Sequence, residues 1–225
     1  MLMETLHRSI LAACVLLAAW CANAAEFTVK TAETPVPKEL GESIRAVLEP
    51  KSVQLVQDGK ALLEIWLRPN LPLKGSAAKL DSIGEATLVG AVAVRGGGLK
   101  DYKGNDVPEG IFTARYLLQP QDGDHLGTAE FNYFLALVPA DTDKELNGLD
   151  KFKPVTKASG KLTPSGHPLI ISLRPVSGDA GKTPTLTEPA AEHKAIRLSV
   201  TGKGPGGEKV ELPFDLIYEG HGHIQ

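Results

Sequence analysis

Two carboxylates and a histidine fall within four positions of this 225-residue chain: Asp122, Asp124 and His125. Carboxylate oxygens suit hard cations and imidazole suits zinc or copper, so the trio could ligate one divalent metal ion. A calcium loop of the EF-hand type needs an acidic side chain at its twelfth position. Counted from Asp122, that position is Tyr133, so the pattern does not match. The same residues also suit a turn, because Asp122-Gly123 and Leu126-Gly127 are turn dipeptides in which aspartate bonds its own backbone. Both readings stay open.

A second histidine, His167, stands in Pro164-Ser165-Gly166-His167-Pro168, at the entrance to an apolar strand pattern. If it met His125 and an aspartate from separate loops, the set would form a first-row metal site with Asp122, His125 and His167 as ligands, or an acid/base pair. An isolated histidine in a Pro/Gly turn is otherwise a partly exposed polar residue. The tail carries His221 and His223, which can bind a transition metal without preorganised geometry, and His193 has no visible partner. Ser159 and Ser165 lack the G-x-S-x-G elbow of a serine nucleophile. Trp66 and Tyr102 could form a sugar platform, but aromatic residues make up only 5% of the chain and most are needed in the core. Burial is therefore expected for Trp66.

The elements that must position these residues are well specified. The loop Gln119 to Glu130 (QPQDGDHLGTAE) lies between two strand patterns within the stretch from Pro108 to Pro139. In the first, Phe112, Ala114, Tyr116 and Leu118 share one face and are expected in the core, while Ile111, Thr113, Arg115 and Leu117 share the other. In the second, Phe131, Tyr133, Leu135 and Leu137 alternate with Asn132, Phe134, Ala136 and Val138, so both faces are apolar and the strand is expected to be central. Direct pairing of the two would bring both ends of the loop together.

Short apolar segments punctuated by 16 prolines and 23 glycines give an all-β reading. Strands are expected at 27–31, 53–56, 62–67, 86–94, 111–118, 131–138, 169–173, 195–200 and 210–218. About nine strands suit a single-domain β-sandwich or jelly roll. Residues 38–48 place Leu40, Ile44, Val47 and Leu48 at helical spacing before Pro50, so at most one short helix is expected, with a further turn over 144–149. Gly202 to Gly207 reads as a hairpin loop, and Val176 to Ala191 as a long surface connection.

The first 24 residues read as an export signal, with Arg8 in the n-region, an apolar core from Ile10 to Trp20, and the small-x-small pattern Ala22-Asn23-Ala24. The domain then spans 25–225. The apolar run is about half the ~20 residues that a membrane span needs, and only a few apolar residues precede Cys14, which disfavours a lipid anchor. Cleavage would remove both cysteines, so the mature chain would rely on its apolar core and could use neither thiol catalysis nor cysteine-metal sites. The net charge of −3 comes from dispersed residues, which argues against nucleic-acid binding. A periplasmic or extracellular location is expected.

The segments PEGIFTARYLLQPQDGDHLGT, FLALVPADTD and SGHPLIISL together resemble a pattern in an uncharacterised family of exported bacterial proteins, over roughly 101–173. Such relatives carry P-x-G-x-Y-T-x-R-Y before the QPQDG-x-H-x-G-T loop, and Phe112 stands here where tyrosine is usual. The resemblance implies no activity or cofactor, but it directs attention to Arg115, Asp122, His125 and His167. The expectation is a non-catalytic module that binds a small ligand or an envelope protein through the 119–130 loop, with Arg115, Asp122, Asp124, His125 and His167 as binding residues. The alternative is a metal-dependent hydrolase or oxidoreductase with His125 and His167 as ligands.

Overall fold

The computed structural model describes residues 26–121, 123, 129–190 and 192–220. In chain order its elements are β1 (Phe27–Ala32), α1 (Glu42–Arg45), β2 (Ser52–Gln57), β3 (Lys60–Leu67), β4 (Leu71–Pro72), β5 (Leu88–Val94), β6 (Gly110–Leu118), β7 (Tyr133–Pro139), α2 (Phe152–Ser159), β8 (Ile170–Pro175), β9 (Thr185–Ala190), β10 (His193–Lys203) and β11 (Lys209–Glu219). The chain is all-β, and no helix among the described residues is long and apolar enough to cross a membrane.

The strands form one sheet in the order β1-β2-β3-β5-β6-β7-β8-β11-β10-β4, with β9 also paired to β10. Every pairing is antiparallel except the short β10–β4 contact. The sheet curls until its ends meet: the ring of Phe27 on β1 lies 5.3 Å from that of Tyr218 on β11, and the Lys194 ammonium lies 5.5 Å above Phe27. The two layers of a sandwich are thus two halves of a single sheet. Their inner faces share one core, which joins Leu55, Leu63 and Val92 to Leu135, Leu198 and Phe214.

Smaller apolar clusters cover the outside. Ile44 of α1, with Leu40 and Leu48 beside it, packs on Trp66 and Ala91, which buries Trp66 fully as expected. Val155 and Ala158 of α2 cover Leu117, Ala136 and Val138. Tyr102 joins Phe134, Ile170, Ala195 and Ile217 on the remaining side. Strands covered on both faces need no polar side, which is why Leu88–Val94 is apolar and buried throughout. Gly90 is required there, because a Cβ would stand 2.4 Å from the Trp66 carbonyl oxygen.

The hairpin at 110–139 pairs as its pattern predicts, from Phe112 opposite Pro139 to Leu118 opposite Tyr133. Phe112, Ala114 and Tyr116 enter the core with Leu135 and Leu137, while Phe134, Ala136 and Val138 meet the outer clusters. Two pairings lie outside the expected strands: β4, and β9 within the stretch read as a surface connection. The helix α2 was not expected either. Its sequence FKPVTKAS buries only Val155, Ala158 and Ser159, and Pro154 sits in the first turn, where a missing N–H costs no helical bond.

Candidate functional site

Asp122, Asp124 and His125 lie outside the described residues, as do His221 and His223, so the site is built from the two feet of the 119–130 loop and what they stand on. The outgoing foot continues the ladder for one bond, with the Gln119 N–H donating to the Asn132 carbonyl at 2.8 Å, and the Gln121 side chain donates back to the Gln119 carbonyl. Three contacts hold the returning foot. Ala129 packs against the Tyr102 cluster, the Glu130 backbone hydrogen-bonds the Tyr102 hydroxyl, and the Phe131 ring lies 5.6 Å from the Arg174 guanidinium. Such a cation–π contact adds orientation as well as energy.

Tyr102 belongs to a loop that the Asp101 carboxylate shapes. One oxygen accepts the N–H groups of Lys103 and Asn105 at 3.0 and 2.7 Å, the Asn105 amide donates to both oxygens, and the Ile170 N–H donates at 3.4 Å. The loop is docked on β8 as well, because the Tyr102 N–H donates to the Ile170 carbonyl. Asp101 is 1% exposed and forms its own turn while tying it to the sheet. The Tyr102 ring lies 5.9 Å from both Phe134 and His193. Burial is the main cause that lifts its hydroxyl pKa above the ordinary phenol value, opposed by the Glu130 backbone bond.

His167 reaches the same place from the turn before β8. Ser159 anchors that turn by accepting the Leu169 N–H at 2.9 Å, and Thr163 donates to the His167 carbonyl at 2.5 Å. The His167 ring is half-buried, with Nε2 3.0 Å from Lys103 Nζ. An ammonium has only donors to offer, so this contact makes Nε2 the acceptor and puts the ring proton on Nδ1. A positive charge at that distance opposes a metal ion on Nε2. The 101–106 loop therefore touches both the returning foot, through Tyr102, and the His167 turn, through Lys103. The distance from His125 to His167 lies outside the described residues. Among those residues no group of three His, Cys, Asp or Glu side chains is placed to hold a metal ion.

On the inner side of this end, Tyr133 stacks on Tyr116 at 6.5 Å and hydrogen-bonds the Asp81 carboxylate. Burial first, and the charges of Asp81 and Glu85 with it, push the Tyr116 hydroxyl pKa far up. That hydroxyl is buried and has no hydrogen-bond partner among the described residues.

Arg115 occupies a different environment from the loop feet. It is 1% exposed and forms a bidentate ion pair with Asp143, Nε to Oδ2 at 2.6 Å and Nη2 to Oδ1 at 2.9 Å. It also donates to the carbonyls of Ala86, Glu145 and Leu146, and Thr113 donates to Asp143. With these partners Arg115 clamps β6 to the 143–146 segment, and none of them is a solvent-facing group awaiting a ligand.

Tyr102, Lys103, Glu130, Phe131 and Arg174 were not singled out together from the sequence. Asp101, Gly104 and Asn105 signal a turn, but nothing local announces that the turn docks on a strand starting at Ile170. No protein-family model, curated protein or solved structure matches the chain.

Proposed function

We propose that this chain is an exported, non-catalytic binding module that takes a small ligand or an envelope protein through the 119–130 loop and the two loops beside it. The observation that carries the reading is the convergence of two loops on the 101–106 loop: the returning foot meets it at Tyr102 through Glu130, and the turn of His167 meets it at Lys103. Binding residues sit most often on loops held by a rigid scaffold, and this scaffold is covered on both faces behind them. Asp122, Asp124 and His125 of that loop would add two carboxylates and an imidazole by residue type, and Lys103 and Arg174 beside its feet are donors. The base carries a positive charge against His167, which favours an anionic or hydrogen-bonding ligand over a metal ion held by that ring.

The test is retention from extract. The chain, immobilised, is exposed to periplasmic and culture-supernatant fractions beside a variant carrying Asp122→Ala, Asp124→Ala and His125→Ala. At least one retained component is expected to fall about tenfold in the variant, the loss of one or two charge-assisted hydrogen bonds. Equal retention of every component by both proteins would remove the proposal.

A further inference from the structure

Four lysines, Lys151, Lys153, Lys157 and Lys161, fall within eleven positions that hold no acidic residue. The whole chain carries −3, so everything outside 151–161 carries −7. Against an otherwise dispersed charge, this segment is a local cationic excess.

The fold turns that excess into one ridge. Lys153 and Lys157 stand four positions apart on α2, and Lys161 follows after four more, in a 3-10 turn over Gly160–Leu162. Such spacing lines side chains along one helix face. Val155, Ala158 and Ser159 point the opposite way and are buried, whereas all four lysines are exposed. At the helical rise per residue, Lys153 to Lys161 spans roughly 12 Å. That is close to the screening length of about 10 Å at 0.1 M salt, so the charges act as one patch. None of the four lysines enters an ion pair among the described residues.

The helix is weaker for carrying them. Like charges at i, i+4 repel, and here two such pairs follow one another. Lys151 occupies the N-cap without a side-chain hydrogen bond, and the first turn holds no acidic residue to match the positive end of the helix. Packing on the sheet is done by Val155 and Ala158 and needs none of the ammonium groups. Residues that break local rules with no structural return mark a functional surface.

We propose that the lysine ridge of α2 docks the chain on a membrane surface rich in anionic headgroups. The occupant follows from the chemistry of the ridge. All four charges are ammonium groups, compact point charges without the planar fork by which arginine reads a fixed phosphate pattern. Phe152, the one aromatic residue of the segment, packs against the Leu117 cluster and leaves no ring for stacking bases. A fluid headgroup layer needs neither device, because its charges move to meet each ammonium. The apolar face of α2 is taken by the sheet, so the helix does not insert and the contact is electrostatic. Repulsion of the remaining −7 sets the orientation, with the ridge toward the surface. The ridge lies outside the 119–130 loop and does not depend on its role.

The full chain is sedimented with vesicles of phosphatidylglycerol and phosphatidylcholine, beside vesicles of phosphatidylcholine alone. Saturable binding is expected to the first and not to the second, and it is expected to vanish at about 1 M salt, where the screening length falls to about 3 Å. Each lysine near such a surface strengthens binding about fivefold. Lys153→Gln with Lys157→Gln and Lys161→Gln is therefore expected to weaken it about a hundredfold. Lys30→Gln with Lys60→Gln and Lys209→Gln removes the same charge from exposed positions on β1, β3 and β11 and leaves binding within about twofold. The ridge variant loses its like-charge pairs and is expected to melt no lower than the unaltered chain. No binding to the anionic vesicles, equal binding to the neutral ones, or equal weakening in both triple variants would overturn the proposal. So would capture of soluble polyphosphate by the ridge without vesicle binding, which would make the partner a polyanion in solution. Should the ridge variant not fold, the lipid and salt comparisons on the unaltered chain decide.

Discussion

Arg115 sits on a strand face next to a polar loop, and its charge goes entirely into the fold. Its guanidinium satisfies both oxygens of Asp143 and three carbonyls, a planar fork that lysine cannot reproduce. Arg115→Ala would leave the Asp143 carboxylate buried with Thr113 as its remaining described side-chain donor. Breaking one side of such a pair costs about 3–5 kcal/mol, so a urea denaturation curve of Arg115→Ala is expected to show that loss. A loss below about 1 kcal/mol, typical of an exposed pair, would show that the clamp does not hold in solution. The tyrosines make a second residue-scale prediction. The chain has four, and all of them have pKa values raised chiefly by burial, Tyr218 to about 12. Because the folded-state values exceed the ordinary phenol value of about 10, this contribution to stability is complete below pH about 10 and is lost as pH rises toward the folded values. Phenolate absorbance should therefore lag in the native protein and appear near pH 10 in guanidinium. Coincident native and denatured titrations would contradict it.

Elements were legible where the chain repeats a simple pattern and obscure where a distant partner decides. The hairpin at 110–139 shows the first case: period-two alternation in β6 and a doubly apolar β7 give the central position and the buried faces from local sequence alone, while the register is seen only in the structure. In β9 the sequence TLTEPA alternates weakly and contains Pro189, with Pro184 just before it, so it reads as a loop. It becomes a strand because the edge of β10 offers it partners from Ala195 to Arg197. The helix α2 likewise acquires its apolar face only once Ala136 and Val138 are there to receive Val155 and Ala158. Part of the candidate site was visible, since the loop and the His167 turn carry turn residues beside strong strands. What joins them was not visible. The bond from the Ile170 N–H to Asp101 spans 69 positions, and no periodicity in either segment encodes it.

At the scale of the whole molecule, the curled sheet has a strong middle and a weak seam. Strands β5, β6 and β7 pair on both sides and are covered on both faces, so opening any of them exposes core. Among the described residues β1 pairs only with β2; it has no fully buried residue, and it meets the far end of the sheet through the side chains of Phe27, Tyr218 and Lys194. β9, among the described residues, is likewise paired on one side only, and it carries no fully buried residue. Local opening free energies follow buried contact and pairing, so hydrogen exchange should be fast in β1 and β9 and close to the global limit in β5 to β7. Phe27→Ala removes the ring that both Tyr218 and Lys194 contact. It is expected to speed exchange in β1 and in the His193–Arg197 part of β10, while leaving β5 to β7 unchanged. If exchange in β5 to β7 accelerates by the same factor, the seam does not open on its own, and the sheet behaves as one cooperative unit closed all the way round.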